Sequence, residues 1–515
     1  MDRFATEVCR LRRGGRVVLW HQQTGRHVTL SDETLAEIER WTPGLPPPPQ
    51  LSPVANRLGS LGMLFESPAP RLSTLRPARS RRVLLLPQTP ALWMPLPTVR
   101  TPGGYAYAER VLSEAEVALW RACNGARTVE EVADRAGATL SAALAFFSEL
   151  TDVDVQALQL RDRPTRMKDP ALLHLVSVER PAHARLSHQR GAGGETTLAH
   201  WHRHNITDGS RHFDDRETTV AHAFATPHPG FSGEPYGARL HRVLEERGLL
   251  PEADGLTLEI GPGDGELGAA WLERTAAVGR PSGEFVRLDA SPELLATQRT
   301  RMPGTREILG IATAIPLPDG AVRLVLCNEV IADLSAAPYD AESPDPPEGA
   351  AAEVASRLAA YRIPPLSGRC AYNLGAWKLV EELSRVLAVG GAAVVTEFGG
   401  IDEIPRETEQ LDHPEVSIHF GHLSDVARAC GFQVRCLPLD ELLQVDLTQT
   451  WLSRHSYEAL RARMRSEGRH LQARAWTRQT LSLPWSVEGL EWVPLSDEGP
   501  GPLITRFMAL LLIKA

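Results

Sequence analysis

Lysine is almost missing from this chain: of 55 basic residues only Lys168, Lys378 and Lys514 are lysine, and the rest are arginine. Basic residues are also outnumbered by 64 acidic ones, for a formal charge of -9. That balance argues against nucleic acid as a partner, because neutralising phosphates needs a basic stripe. Cysteine is sparse, and Cys9, Cys123, Cys327, Cys370, Cys430 and Cys436 include no CxxC pair. Neither a disulfide framework nor a zinc ribbon is supported. Long apolar runs are lacking too. The opening residues MDRFATEVCRLRRGG have no signal-peptide core, and no stretch approaches the roughly 18 apolar residues of a membrane span. A reduced, cytoplasmic protein without a membrane partner is expected.

What is present is a globular composition, 43% hydrophobic and 23% charged, over 515 residues. That length suggests about two to four domains. In the first, residues 1–75, RVVLWH (16–21) and RHVTL (26–30) flank a turn ending at Gly25 and predict a hairpin. Ser31, Asp32 and Glu33 then offer a cap and first-turn acids for a helix through Trp41. The run PGLPPPP (43–49) ends the pattern, and a short helix around 53–64 follows. In the second, residues 76–160, VLLL and Tyr105–Val111 read as strands. Ser113 caps a helix through Cys123, and Thr128–Ala136 and Leu140–Leu150 are two more helices split at Gly137, giving a winged-helix pattern. Residues 161–214, with His174, His183, His188, His200, His202, His204 and His212, read as a linker or lid. From 215 to 515 apolar runs alternate with amphipathic segments as in a βαβ protein.

The chemistry-bearing motif lies in this last region. The buried-strand pattern Leu256–Ile260 runs into Gly261-Pro262-Gly263-Asp264-Gly265 and then a helix from Glu266 to Arg274. Strand, glycine turn and helix N-terminus form the nucleotide-binding corner of a doubly wound sheet. Glycine-rich loops also serve NAD and FAD. Here the spacing is GxGxG, Glu259 precedes it, and a second strand, 284–288, ends in Asp289, placed to hold ribose hydroxyls. The run Gly310–Gly320 (GIATAIPLPDG) precedes another strand, Val322–Cys327. A helix over 374–387, Gly390-Gly391, a strand over 392–397 and a final one over 508–513 complete the pattern.

This constellation resembles the class I S-adenosylmethionine-dependent methyltransferases over roughly residues 256–400. The resemblance implies an α/β, Rossmann-like seven-stranded domain, preceded by the small α+β units, with S-adenosyl-L-methionine as cofactor. It implies that Glu259, Gly261, Gly263, Gly265, Asp289, Ala290, Ala312, Thr313 and Asn328 bind the cofactor. Glu259 would orient its amino-acid end and Asp289 its ribose. Ile311 stands where the family often has an acid for the adenine, so backbone groups around Ala312 and Thr313 would serve instead.

On the acceptor side, Asn328-Glu329-Val330-Ile331-Ala332-Asp333-Leu334 resembles the NE-x-x-D-A-L pattern of the MidA-like family, which includes a protein arginine methyltransferase. EIGPGDGEL resembles that family's glycine loop, and His413–His422 a looser active-site loop. Asn328, Glu329 and His413 are the expected catalytic residues. A carboxylate such as Glu329 can orient an amine or guanidinium, whereas a carboxylate acceptor would suit His413, His419 or an arginine better. The bland reading of Glu329 is a strand-end acid bonding backbone amides, and of His413, His419 and His422 a structural role. The proline-rich insertion 335–370 is a candidate substrate groove. No metal is expected: His200 and His204 have i, i+4 spacing, but Trp201 replaces the usual glutamate and no third ligand is evident.

The segments RVVLWHQQTGRHVTLSDETLAEIERW and LSEAEVALWRACNGARTVEEVADRAG resemble PqqD-type recognition elements, which capture a leader peptide as an added strand. The expected partner is therefore a precursor peptide or protein substrate, with a homodimer compatible, and the expected function is methylation of a ribosomally made peptide. Alternatives are a housekeeping MidA-like protein arginine methyltransferase, a small-molecule natural-product methyltransferase and a non-catalytic assembly factor.

Overall fold

The computed structural model describes the chain except residues 1–3, 6, 14–15, 43–44, 65–69, 102–103, 165–211, 215–217, 253, 281–282 and 411–412. Most of the histidine-rich segment, including His200 and His204, lies outside the described residues. The chain divides into two compact units. One comprises 1–181 with 453–471 and 481–491; the other comprises 182–452, 472–480 and 492–515. Two segments that the sequence assigns to the C-terminal domain therefore belong with the N-terminal unit. Among the described residues no helix is long and apolar enough to cross a membrane.

In the first unit the expected hairpin forms as Arg16–His21 against Arg26–Ser31, turning at Gly25 with φ +64. A third strand, Val8–Arg13, pairs antiparallel with Arg16–His21 and was not expected, since its arginines hide the strand pattern. The helix Asp32–Arg40 is capped by Ser31, whose hydroxyl accepts from the Thr34 amide. A second antiparallel sheet joins Leu84–Leu86, Ala91–Thr101 and Gly104–Val111. Its middle strand was missed because Pro95 and Pro97 argue against a ladder position. Beyond Trp93 that strand pairs on one side only, and Pro97 falls in the register shift between Leu96 and Arg100, where proline is tolerated. Helices Glu114–Ala122, Val129–Ala136 and Leu140–Thr151 follow. The first two open with capping boxes at Ser113 and Thr128, and Gly137 closes the second at φ +66. Their apolar faces meet in a core around Trp120, Phe146, Phe147 and Leu92.

The second unit is built on a twisted sheet in the order Arg306–Leu309, Phe285–Asp289, Thr257–Ile260, Val322–Asn328, Leu387–Gly400, Phe507–Lys514 and Phe432–Pro438. Neighbours are parallel except Phe507–Lys514, which runs antiparallel to both of its partners. Chain order 3-2-1-4-5-7-6 makes this a Rossmann-like α/β sheet, and a short strand, Ile418–His419, adds to the end of Leu387–Gly400. Period-two alternation divides the central strands between two cores. Val325 and Cys327 face one side, with Trp377, Leu383 and Phe420; Leu324 and Leu326 face the other, with Tyr236, Leu240 and Trp271. Each fully buried Leu or Phe contributes about 1.5–3 kcal/mol, so both faces hold the sheet rigid beneath its loops. The insertion after Leu334 folds as a two-stranded ribbon, Ala337–Asp340 with Arg369–Tyr372, and a helix, Gly349–Tyr361, and joins the first core through Val354, Leu358 and Tyr372.

Candidate functional site

Strand order reverses between Thr257–Ile260 and Val322–Asn328, and ligands of such sheets bind beyond the carboxyl ends at this switch point. A cleft opens there, its empty space about 1110 Å³ with the mouth included. Its walls hold Glu259, Gly261, Gly263, Asp289, Ala290, Ala312, Thr313, Asn328 and Glu329. Of the expected cofactor residues only Gly265 is absent from the lining; it caps the helix Glu266–Ala277 at φ +86. Phe213, Thr219, Ala221, Asp264 and Asp333 also line the cleft and were not singled out from sequence. No residue of 335–370 lines this cleft.

Glycine is required in the loop for space as well as backbone freedom. Gly261 has φ +61, and a Cβ there would stand 2.5 Å from Val330 Cγ2. Glu259 lies beneath the loop, fully buried, with Oε2 packed against Gly268 and lacking a hydrogen bond of normal geometry. Burial lifts its carboxyl to about 8; Arg287, its register neighbour on the adjacent strand, offsets only part of that. A Cβ on Gly268 would stand 2.3 Å from Glu259 Oε2 and 2.7 Å from Met302 Sδ. Gly268→Ala is therefore expected to destabilise the protein by about 1–3 kcal/mol, although alanine is the better helix former. Denaturant unfolding measures this, and a gain in stability would show that Glu259 has room to move.

Asp289 ends its strand fully buried. One oxygen accepts from the Ser291 amide at 2.9 Å and the other from Gln298 Nε2 at 2.9 Å. Burial raises its carboxyl to about 6 against these bonds. Gln298 Nε2 also donates to the Gly263 carbonyl at 2.7 Å, tying Asp289 to the glycine loop. A glutamine nine residues beyond the strand end carries no signal in sequence; only the helix Pro292–Arg301 folding back brings it here.

At the acceptor end, Asn328 Oδ1 accepts from Tyr236 Oη at 2.6 Å and Thr396 Oγ1 at 2.7 Å. Its Nδ2 donates to Glu329 Oε1 at 3.0 Å, and the Val220 amide donates to the same oxygen at 2.7 Å. Glu329 thus makes the backbone bond of its bland reading while also facing the cleft. Its φ of +53 is left-handed, a conformation costing a non-glycine residue about 1–2 kcal/mol. Behind it, burial and the charge of Glu329 push the Glu397 carboxyl well above its ordinary range.

The histidines divide. The backbone of His413 opens the short strand His413–Val416, and its side chain lies outside the described residues. His419 caps the helix Phe420–Ala429 by accepting from the His422 amide, and the two rings pack 4.1 Å apart. His422 also stacks on Tyr372, and burial lowers it to about 4. Neither lines the cleft, and both do structural work. His222, Asp264 and Glu266 come close enough together to suit a metal ion. Their charges are already matched: Arg301 lies 3.2 Å from Asp264 and 2.6 Å from Glu266, and Arg474 2.6 Å from Glu266.

No family model matches the chain. Over 78 residues it is 38% identical to uncharacterized methyltransferases of Mycobacterium bovis and Mycobacterium tuberculosis, 15% of this chain and 29% of each relative. The chain thus spans less than a third of the length of these curated relatives. Among solved structures it is similar to an uncharacterized protein from Burkholderia thailandensis, at 18% identity and TM-score 0.35, covering 62% of this chain and 92% of that one. It is also similar to an S-adenosylmethionine-dependent methyltransferase from Thermotoga maritima, described as a possible histamine N-methyltransferase. There the identity is 15% and the TM-score 0.29, covering 62% of this chain and all of that one. Likeness of this depth does not specify an activity.

Proposed function

We propose that this chain is an S-adenosylmethionine-dependent methyltransferase acting on a nitrogen of a peptide or protein side chain. One observation carries the cofactor: none of the described lining residues is basic, and beyond Asp264 and Glu266, matched by Arg301 and Arg474, the lining carries the carboxylates of Asp289, Glu329 and Asp333. A dinucleotide would bring its pyrophosphate into that field, whereas S-adenosylmethionine brings a sulfonium and an ammonium. The loop backbone, kept free of a Cβ at Gly261 and Gly263 by Val330 and Phe213, lines the cleft and fits such a ligand. When bound, the cofactor supplies an electrophilic methyl group. The protein's part is position and charge: Glu259 for the amino-acid end, Asp289 for the ribose, and the segment around Ala312 and Thr313 for the adenine. Asn328, locked by Tyr236 and Thr396, sets Glu329, whose carboxylate orients a cationic or amine acceptor and offsets its developing charge.

The peptide reading draws on the N-terminal unit. Among the described residues, Gly104–Val111 pairs with one neighbouring strand only and three helices follow it, which supports a reading in which a leader adds as a strand there. Leader capture would let weak core recognition suffice, since tethering raises effective concentration. The second reading, a housekeeping protein arginine methyltransferase, rests on the same Glu329 and needs no leader. Calorimetric titration of the full chain is expected to give micromolar binding of S-adenosylmethionine and none of NAD. Precursor-type peptides should then gain one methyl mass, and loss of that gain on deleting the leader supports capture. Binding of NAD in place of S-adenosylmethionine would overturn the reading.

A further inference from the structure

Phe213, Thr219 and Ala221 reach the cofactor cleft from chain well ahead of the glycine loop, and the His222 side chain joins that segment to the loop. His222, on the short helix Val220–Ala223, is 1% exposed. Its Nδ1 lies 3.0 Å from Asp264 Oδ2 in the loop and its Nε2 2.7 Å from Asp214 Oδ1. Ionised carboxylates only accept, so satisfying both contacts requires a proton on each ring nitrogen, an imidazolium.

The charges around it agree. Asp214, Asp264 and Glu266 supply three carboxylates; Arg301 and Arg474 supply two guanidinium groups, and the imidazolium closes the balance. Asp214 Oδ1 also accepts from the Ala473 amide at 2.8 Å, and Arg474 donates to the His222 carbonyl, so the neighbouring chain is fixed as well. Beside the latch, the Phe213 ring packs 5.9 Å from the His222 ring and fills the space a Cβ on Gly263 would need.

We infer that His222 is a positioning residue: a doubly bonded imidazolium that latches the segment carrying Phe213, Thr219 and Ala221 onto the glycine loop, so that cofactor affinity falls in alkali. The inference rests on the cofactor reading above, but the latch itself does not need a ligand to be observed. Burial opposes the charge on His222, and the hydrogen bonds to Asp214 and Asp264 outweigh it, so the pKa is raised above 6.5. The latch is therefore complete below that ordinary value and is lost as pH climbs through the raised one. A neutral ring leaves one lone pair facing a carboxylate.

The test uses the full chain, wild type and His222→Gln, between about pH 6 and pH 9. Without ligand, amide protection factors over 218–224 are expected to fall with rising pH in the wild type. In the variant they should be low and insensitive to pH. Calorimetry with S-adenosylhomocysteine should give a wild-type Kd that weakens about tenfold across the range, and a variant Kd about tenfold weaker at neutrality and flat with pH. Nitrogen-15 spectra of the wild-type imidazoles should show His222 protonated at both nitrogens near neutrality, which keeps the inference testable if the variant does not fold. A His222 with one N–H, or a variant that keeps the wild-type pH profile, overturns it. Protection that follows pH as expected with no binding of S-adenosylhomocysteine would leave the latch standing and remove the cofactor reading.

Discussion

Asp289→Ala is expected to weaken S-adenosylmethionine binding by about a hundredfold or more, the largest effect on affinity of any single change in the cleft. The carboxylate is fixed before any ligand arrives, by the Ser291 amide on one oxygen and Gln298 on the other. The Ala290 amide adds a third bond, and the acceptor capacity that remains suits the hydroxyls of a ribose. Burial has raised its pKa only to about 6, so it is mostly ionised at neutrality and binds as a charged acceptor. Two hydrogen bonds to a charged group at about 1.5–3 kcal/mol each account for the factor. Alanine also strands the Gln298 amide, which would loosen Gly263. Asp289→Asn separates the two losses, because it keeps one acceptor oxygen and most of the shape. Calorimetry on both variants is the measurement. An Asp289→Ala affinity within about threefold of wild type would mean that the ribose lies elsewhere.

Glu329→Gln is expected to lower kcat by about 10²–10³ while leaving the cofactor Kd within a few-fold of wild type. Glutamine retains a carbonyl oxygen for the Val220 amide and Asn328 Nδ2, so the bonds that hold the helix Val220–Ala223 survive. What disappears is the negative charge. The left-handed backbone at Glu329 persists at a cost because strand ladder, Asn328 and Val220 all fix it, and such strain collects where side-chain direction matters for function. Glu397, held above its ordinary range partly by the charge of Glu329, would ionise more readily in the variant and replace part of that charge. Single-turnover rates beside binding constants make the distinction. An unchanged rate would reduce Glu329 to the cap it forms on Val220.

How much of this was legible before folding follows from how local each feature is. The loop Gly261–Gly265, the strand-end acid Asp289 and the pair Asn328–Glu329 stand where a strand gives way to a turn, and that junction is written in adjacent residues. The cap at Ser113 is equally local, and the helices starting at Ser113 and Thr128 were read to within a residue, though the capping box at Thr128 was not. The strand Ala91–Thr101 was hidden because proline is judged by the number of ladder partners, which the residues themselves do not state. Gln298, Tyr236 and His222 were missed for a related reason. Their partners are Asp289, Asn328 and the Asp214–Asp264 pair, met through helices that fold back over the strand ends.

By itself, then, the sequence determined the alternation of strands and helices in the C-terminal region, the glycine loop and the two acids that flank it. It also determined the overall acidic balance of the chain. The tertiary structure alone decided that residues 453–471 and 481–491 belong with the N-terminal unit and that the insertion 335–370 does not line the cleft. It alone set a buried histidine between two aspartates to hold the wall of the cleft. Backbone turns and caps are selected by neighbours in the chain, whereas burial, pKa and the partners of a polar side chain depend on which distant elements pack around it, and no local pattern encodes those.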